Sequence, residues 1–233
     1  MNYEARIFAG KICKTTAYPR PFPSLFYFPG ITSKPWHETG EFSFVKYIES
    51  RFKEIKQEFL ENKQAIESEA VKSKQVDQFQ KVKEGEYLQF PLINKGLLND
   101  KFGTLMPKTM KIFQDLEKAG EGPMRAVPFS SSYLSVMKPT TALNNHYGPC
   151  NIRLRCNLPI LLPEASEACF IRVGGQVKFW KEGEIIIYDD TYEHESCNLS
   201  EVHDLAKIVF DIWHPEITAL EREAMLKLFN SHG

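Results

Sequence analysis

The sequence predicts a mainly β chain with flanking helices, in which short strands form a barrel or jelly roll. From Ala126 onward, short segments of alternating apolar and polar residues follow one another, and Gly or Pro turns separate them. Before Ala126, apolar residues recur at helical spacing instead. The length of 233 residues suits one domain with a sizeable core. We expect a single domain over 1–233 in four parts: an arm over 1–40, mostly helical support over 41–125, a β core over 126–217 and a last helix over 218–233.

The composition argues against nucleic-acid and membrane partners. The 29 basic and 30 acidic residues give a formal net charge of −1, so no charged surface for nucleic acid or lipid is indicated. No apolar run reaches the roughly 18 residues of a membrane span, and the N-terminus lacks the apolar stretch of a signal peptide. The five cysteines are odd in number and include no CxxC pair, unlike an extracellular disulfide framework. We expect a soluble, cytoplasmic protein.

Residues 1–40 are expected to form an irregular arm. Five prolines lie between Pro19 and Pro35, and each removes a backbone donor and fixes φ, which disfavours helix and inner strand. Aromatic residues are interleaved with these prolines. The arm either packs its rings against the domain or serves as a proline-rich ligand for another protein.

Three helices are expected around the β region, and the first two are amphipathic. The first runs from Glu41 to about Ala65 and carries one apolar stripe with steps of three or four positions. This stripe consists of Val45, Ile48, Phe52, Ile55 and Phe59. The second is expected at Pro107–Leu116, with Pro in its first turn. The third is expected at Thr218–Phe229, with Thr218 as its N-cap.

Seven segments read as strands. The first, Tyr87–Asn94, is placed at a sheet edge because Pro91 has no amide hydrogen. The Gly174-Gly175 pair between two short runs predicts a hairpin. The six later candidates are Ser132–Lys138, Asn151–Leu161, Cys169–Val173, Gln176–Trp180, Glu184–Tyr188 and Ala206–Trp213.

The segment Asn151–Leu161 alternates strictly between apolar and polar residues. Its polar face holds Arg153, Arg155 and Asn157. If this face meets water, the arginines are ordinary surface charges. If it points into the barrel, they need anionic partners, because an unpaired buried charge is costly, and a bound carboxylate could supply them.

His146 and His194 are the candidate metal ligands. Single histidines are more often structural or exposed, but each of these two lies beside a tight turn, and a barrel can bring them together. Neutral imidazole suits Fe(II), and the nearest general pattern is the two-histidine, one-carboxylate site of non-haem iron oxygenases. Gly148 occupies the position where that pattern has its carboxylate. An acidic residue near His194 could replace it, with Asp189, Asp190, Glu193 and Glu195 as candidates, or water could.

Three motifs carry these two histidines and the end of the last strand. They are HYGPCNIRLR at 146–155, WKEGEIIIYDDTYEHE at 180–195 and DIWHPEIT at 211–218. Together they resemble the aspartyl/asparaginyl β-hydroxylase family, an oxygenase domain that hydroxylates Asp or Asn side chains with Fe(II), 2-oxoglutarate and O2. The resemblance covers roughly Phe26 to the C-terminus. It implies a double-stranded β-helix, that is, a jelly-roll or cupin-like oxygenase fold, and a protein or peptide substrate that bears Asp or Asn.

The resemblance assigns His146 and His194 as the iron ligands. The family has two histidine ligands and no carboxylate ligand, which agrees with a glycine at position 148. Arg153 matches the arginine that pairs with the substrate's carboxylate, and Gln89 matches a glutamine that contacts the substrate.

The resemblance also assigns the cosubstrate site. Arg155 would hold the C1 carboxylate end of 2-oxoglutarate as a third catalytic residue, and Ser135 would lie at its far carboxylate. Asn157 stands where the family has a histidine that helps to hold the cosubstrate. The family's arginine for the far carboxylate corresponds to Leu205, and Lys207, two residues on and on the same strand face, could serve instead as a point charge.

Two hypotheses about function follow. The first is an Fe(II)- and 2-oxoglutarate-dependent hydroxylase that acts on Asp, Asn or a related acidic residue. The second is a non-catalytic, cupin-like protein that binds a small carboxylic acid or a partner, and the altered residues Leu205 and Lys207 keep this alternative open. Two cysteines that the secretory-pathway enzyme pairs align with Gly103 and Met110, which favours a cytosolic substrate.

Overall fold

The computed structural model describes residues 19–72, 80–164 and 168–230. These ranges contain five α-helices, a short 3-10 helix at Thr39–Glu41 and thirteen strands. The helices are α1 (Phe44–Ser50), α2 (Phe52–Glu69), α3 (Asp100–Leu105), α4 (Pro107–Lys118) and α5 (Ala219–Asn230). The strands are β1 (Trp36–His37), β2 (Val71–Lys72), β3 (Val82–Glu84), β4 (Tyr87–Asn94), β5 (Leu97–Leu98), β6 (Ser132–Met137), β7 (Thr141–Leu143), β8 (Arg153–Leu161), β9 (Cys169–Val173), β10 (Gln176–Phe179), β11 (Ile186–Tyr188), β12 (His194–Asn198) and β13 (Leu205–Trp213). The first part of the predicted arm lies outside the described residues.

Two antiparallel sheets form the centre of the molecule. The larger runs in the order β1-β11-β8-β13-β6-β4-β2, with β5 beside β4, and the smaller in the order β10-β9-β12-β7-β3. An apolar cluster joins the two sheets, with Tyr133, Met137 and Val209 from the larger and Ile171 and Val173 from the smaller. In both sheets, strands that are neighbours in space are often distant in the sequence, so the chain passes repeatedly from one sheet to the other. Two facing antiparallel sheets connected in this way form a jelly roll. The predicted fold class, a double-stranded β-helix with flanking helices, is confirmed.

Helices α1 to α4 pack against the larger sheet. The apolar stripe predicted for the first helical region contacts the side chains of β4, β8 and β13 that point the same way. The predicted helix Glu41–Ala65 is divided at Arg51, whose φ of −94° and ψ of 1° interrupt the helix, and α2 then continues to Glu69. The region over 41–125 also supplies strands β2 to β5.

The polar face of β8 points into the molecule, between the sheets. Leu154 and Leu158 belong to the cluster beneath the helices, whereas Arg153 and Arg155 on the opposite face are each 1% exposed. Of the two alternatives that the sequence left open, the inward one is correct. The same alternation in β13 places Lys207 on the inner face.

Strand β4 has the predicted bounds, but its predicted position at a sheet edge is wrong. It pairs with β6 on one side, and with β2 and β5 near its two ends. Pro91 falls between those two short partners, and the register with β6 shifts between Pro91 and Ile93. A strand can hold a proline at such an irregular site, where the ladder does not need its amide hydrogen.

Two predictions about turns and caps are confirmed. Gly174 and Gly175 have φ values of 55° and 81° and connect β9 to β10, the backbone of a tight hairpin turn. At the start of α5, Thr218 Oγ1 accepts a hydrogen bond from Glu221 N at 3.3 Å, and the Glu221 carboxylate accepts one from Thr218 N at 2.8 Å. This reciprocal pair is a capping box, with Thr218 as the N-cap.

The described part of the arm packs its rings on the domain. The ring centroids of Phe26 and Phe229 are 5.4 Å apart, edge to face. Phe28 N donates to Asn151 Oδ1 at 2.7 Å, which ties the arm to the segment before β8. The described arm therefore behaves as part of the domain, the first of the two alternatives for it.

The four cysteines within the described ranges are buried and free. Every helix in those ranges is too short or too polar to cross a bilayer.

Candidate active site

The two candidate metal ligands lie side by side at one end of the smaller sheet. His194 is the first residue of β12, and His146 lies in the chain between β7 and β8. The backbones of the two residues exchange both hydrogen bonds, from each N to the other's O, at 3.0 Å. Because such a pair places both side chains on one face, the imidazole centroids are only 4.1 Å apart. The structure thus joins two residues that are 48 positions apart in the sequence.

Both imidazoles are held in the same tautomer. His146 Nδ1 lies 2.7 Å from the carbonyl oxygen of Asn144, and His194 Nδ1 lies 2.9 Å from that of Tyr192. A carbonyl oxygen can only accept, so each Nδ1 carries the hydrogen and each Nε2 keeps its lone pair. This is the arrangement in which histidine binds a metal through Nε2, and neutral imidazole is a suitable ligand for Fe(II).

The donor set of this site is two imidazoles. Within the described part of the chain, no group of three or more His, Cys, Asp or Glu side chains has the geometry of a metal site. Two imidazoles leave most of the coordination positions of an octahedral ion to small ligands. Two neutral imidazoles are suitable ligands for an iron ion.

Gly148 and Asp190 lie against each other beside this pair. Gly148 N donates to Asp190 O at 2.6 Å, and a Cβ added at Gly148 would meet a carboxylate oxygen of Asp190. Glycine is therefore required at position 148, since any side chain would displace that carboxylate. Asp190 thus fills the space that a side chain at position 148 would take.

Two buried aspartates neutralise the two inward arginines. Asp211 Oδ2 lies 2.7 Å from Arg153 Nη1, and Asp211 Oδ1 lies 2.8 Å from Arg155 Nε. Asp190 Oδ2 accepts from Arg153 Nη2 and lies 3.7 Å from Arg155 Nη1. All four side chains are at most 2% exposed. The cluster has no net charge, which is how a protein can bury two guanidiniums.

The charges of this cluster influence the protonation of Asp190, which lies beside the two histidines. Burial alone would raise the pKa of Asp190, but the positive charges of Arg153 and Arg155 outweigh burial, and the pKa is lowered. His146 contributes in the same direction. Asp190 is therefore a carboxylate anion at neutral pH, next to the imidazole pair.

Asp189 shapes the turn that leads to His194. Its carboxylate accepts hydrogen bonds from Thr191 N at 2.9 Å and from the Ser33 hydroxyl at 2.7 Å. Burial raises the pKa of Asp189 to about 6, against the effect of these hydrogen bonds. In the sequence, Asp189 and Asp190 stand out only as neighbours of His194. In the structure, Asp189 holds the turn before His194, whereas Asp190 pairs with the buried arginines.

A row of predicted residues crosses the larger sheet further inside. Gln89 of β4 pairs with Ser135 of β6, which in turn pairs with Lys207 of β13. Lys207 Nζ lies 4.3 Å from the centre of the Trp180 ring and 3.4 Å from Ser196 Oγ, and it has no ion pair with a described carboxylate. Burial lowers the pKa of Lys207 to about 7.

One narrow cavity connects the histidine pair with Lys207. Four of the predicted site residues line it, namely His146, His194, Asn157 and Lys207. Gln80, which sequence reasoning missed, also lines it, and its side chain connects Gln89 with the hydroxyl of Tyr133. The other four predicted residues, Arg153, Arg155, Ser135 and Gln89, are buried next to these but do not belong to the lining.

Asp211 is the second residue that sequence reasoning missed. A signal was present, because alternation along β13 puts residues 207, 209 and 211 on one face. An acidic residue on that face was a candidate partner for the inward arginines.

Solved structures with a similar course of the chain include a prolyl 4-hydroxylase from Pseudomonas putida, with a TM-score of 0.42 and 8% identity over 73% of this chain and 98% of that one. A predicted oxalate decarboxylase from Thermotoga maritima gives a TM-score of 0.37 and 14% identity over 63% and 91% of the two chains. At these scores neither structure bears on the function.

Sequence relatives are closer. The human aspartyl/asparaginyl beta-hydroxylase is 32% identical over 205 residues, which are 87% of this chain and 26% of that protein. The human aspartate beta-hydroxylase domain-containing protein 2 is 28% identical over 210 residues, 89% of this chain and 54% of that protein. The chain thus spans between a quarter and about half of the length of these relatives.

The family model described as Aspartyl/Asparaginyl beta-hydroxylase matches residues 49–215. That range is more than half of the chain, and it contains both histidines, both inward arginines and Lys207. The chain belongs to the aspartyl/asparaginyl β-hydroxylase family.

Proposed function

We propose that this protein is an Fe(II)- and 2-oxoglutarate-dependent hydroxylase that acts on the β-carbon of Asp, Asn or a related acidic residue in a protein or peptide. The observation that carries the proposal is the pair His146 and His194, with matched Nδ1 hydrogen bonds, on a cavity that also contains the amine of Lys207. Membership of the family and the name of its human relative support the substrate class.

The imidazole pair would hold the iron through the two Nε2 atoms. Iron, when bound, supplies the activation of O2 that is coupled to the oxidation of 2-oxoglutarate to succinate and CO2 and allows a C–H bond to be hydroxylated. The backbone pairing of His146 with His194 fixes the distance between the two ligands before any metal binds. The anionic Asp190 places a negative charge beside them, which favours a divalent cation.

The inner end of the cavity would receive the far carboxylate of 2-oxoglutarate. Lys207 is the cation at that end, and the hydroxyl of Ser135 lies on the neighbouring strand in the same row. Lysine is a point charge without the bidentate fork of arginine, so this end attracts a carboxylate but orients it less strictly. Arg155, to which the resemblance assigns the other carboxylate end, would supply that orientation. Asn157, on the cavity wall, lies between these two regions of β8 and β13.

The acidic group of the substrate is assigned to Arg153, with Gln89 as a second contact. Arg153 already shares its guanidinium with Asp190 and Asp211. A substrate carboxylate would share it with two anions, which weakens the attraction but sharpens the geometry. Selection for Asp or Asn would then depend on position more than on charge.

An anaerobic titration with Fe(II), in the presence and absence of 2-oxoglutarate, tests the proposal. A chelated cosubstrate gives a visible charge-transfer band, and we expect this band in the wild type. His194→Ala should remove both the band and succinate formation. His203→Ala is the matched control, because His203 is exposed and should change neither.

The opposite result is equally informative. Bound iron without the band, and no succinate from any peptide with Asp or Asn, would refute the hydroxylase. The second hypothesis, a non-catalytic cupin-like protein that binds a small carboxylic acid, would then explain the cavity and Lys207.

A further inference from the structure

One segment of the arm, residues 22–26, contacts both loops that carry the histidines, and we call it the strap. Its first hydrogen bond goes to the loop before His194, where Phe22 N donates to Thr191 O at 2.7 Å. The Phe22 ring meets the other loop, edge to face against the ring of Tyr147, with 5.7 Å between the centroids. Tyr147 directly follows the first histidine in the chain. The strap therefore bridges the two loops.

The rest of the strap runs along the segment that follows His146. Ser24 N donates to Gly148 O at 3.0 Å, and Ser24 Oγ donates to the same oxygen at 3.3 Å. Phe26 N donates to Pro149 O at 2.9 Å. Both acceptor residues are buried, whereas Ser24 is exposed. A buried carbonyl needs a hydrogen-bond donor, so the strap completes the hydrogen bonding of this segment.

Gly148 is held from two sides. Gly148 N donates to Asp190 O at 2.6 Å on one side, and Gly148 O accepts from Ser24 N on the other. A Cβ added at position 148 would meet the Asp190 carboxylate, so these two residues already lie as close together as they can. The same carboxylate pairs with Arg153. The strap thus fastens the contact that sets both the distance between the loops and the place of the Asp190 charge.

We propose that the strap is a positioning element of the metal site, which holds the loops of His146 and His194 at the spacing that lets both imidazoles bind one ion. The inference rests on the proposed function, because it takes this pair as the metal ligands. The strap touches no metal and acts only through the two loops. Docking of the strap and binding of the metal are then coupled, and such a coupling is reciprocal. A docked strap raises the metal affinity, and a bound metal stabilises the docked strap by the same factor.

An arm that only covers the surface of the domain makes a different prediction. The loss of a strap hydrogen bond would then lower the free energy of unfolding, but the folded protein would bind the metal as tightly as before. Bound metal would stabilise the fold as a whole by mass action and would leave the local opening of the strap unchanged. Metal affinity and local exchange of the strap amides therefore separate the two roles.

The first experiment measures Ni(II), an ion that imidazole also binds, by calorimetry on the intact, metal-free chain. Ser24→Pro removes both the amide hydrogen and the hydroxyl that Gly148 O accepts. We expect this variant to raise the dissociation constant of Ni(II) about tenfold, comparable to the loss of one hydrogen bond. Tyr27→Pro is the matched control and should leave the constant unchanged. Tyr27 is 58% exposed, and its amide donates no hydrogen bond to a described residue.

The second experiment needs no substitution in the strap, so it decides the case in which Ser24→Pro does not fold. Amide hydrogen exchange of the wild type is followed residue by residue by NMR, with and without Ni(II). Ni(II) should slow the exchange of the Phe22 and Ser24 amides about tenfold, because the coupling acts equally in both directions. In His194→Ala, Ni(II) should leave the exchange of these amides unchanged.

Unchanged Ni(II) affinity in folded Ser24→Pro, or strap amides whose exchange Ni(II) does not slow, would overturn the inference while the proposed function stands. An equal loss of affinity in Tyr27→Pro would overturn it as well, because the effect would then not depend on the hydrogen bonds to Gly148. Wild-type protein that binds neither Ni(II) nor Fe(II) would refute the proposed function and the inference together.

Discussion

Replacing Lys207 by methionine is expected to make the protein more stable and the cavity a weaker anion receptor. Lys207 is 4% exposed, and burial lowers the pKa of its amine from 10.5 to about 7. Between these two values the unfolded chain holds a proton that the folded chain does not, so stability rises with pH from 7 to 10.5. Each pH unit is worth about 1.4 kcal/mol, so the buried amine costs on the order of 5 kcal/mol at and below pH 7.

Methionine has a similar length and no charge, so Lys207→Met should recover much of this free energy. The gain should be largest at and below pH 7 and should vanish near pH 10.5. Denaturation in guanidinium chloride at pH 7 and pH 9.5 measures it. If the difference in free energy of unfolding between Lys207→Met and the wild type were the same at both pH values, the reasoning would be refuted.

The affinity for 2-oxoglutarate should also depend on the protonation of the Lys207 amine. A carboxylate needs the charged amine, so the dissociation constant of 2-oxoglutarate should rise about tenfold for each pH unit above 7. The other ionisable groups that act on Lys207 are Arg155 and the thiols of Cys169 and Cys197. Lys207→Arg keeps its charge throughout, so its binding should be nearly independent of pH between 6 and 9. Parallel pH profiles for wild type and Lys207→Arg would exclude Lys207 as the receptor.

Two further predictions concern stability. Gly148→Ala should lower the free energy of unfolding by more than about 2 kcal/mol and weaken metal binding, because the added Cβ displaces the Asp190 carboxylate. Gly40→Ala is the control and should change that free energy by less than about 0.5 kcal/mol, because an added Cβ there meets no atom within 4 Å. Chemical denaturation of both variants measures the difference. Burial and the charge of Lys34 lower the pKa of His37 to about 4, so the fold loses stability as the pH falls from 6.5 to 4. His37→Gln cannot take up this proton, so its stability relative to the wild type should increase over that interval. Acid titrations followed by circular dichroism measure the difference.

The sequence was most informative where one physical pattern had one outcome. The strict alternation of β8 specified its two faces, although it could not say which face was inside. Only the neighbouring strand β13 settles that, because Asp211, the partner of Arg155, is 56 residues further along the chain. Ion partners across strands depend on register, and register is fixed by the whole sheet.

Other features left little local signal. The interruption at Arg51 has no glycine or proline, so no residue with a known tendency to break a helix marks it in the sequence. Strand β12, His194–Asn198, lacks an apolar alternation because its inner face carries the polar residues of the site. The edge position assigned to Tyr87–Asn94 followed correctly from Pro91 alone, but two short strands near its ends made an inner position possible.

The candidate site is divided between layers of unequal support. The cationic half, with Lys207 and Arg155, belongs to the sheet that the helices brace, whereas His194 belongs to the smaller sheet, whose outer side leaves Val177 and Phe179 about half exposed. Local opening of a protein is easiest where buried apolar contacts are few. The two halves of the candidate site therefore lie in layers that are expected to differ in local stability.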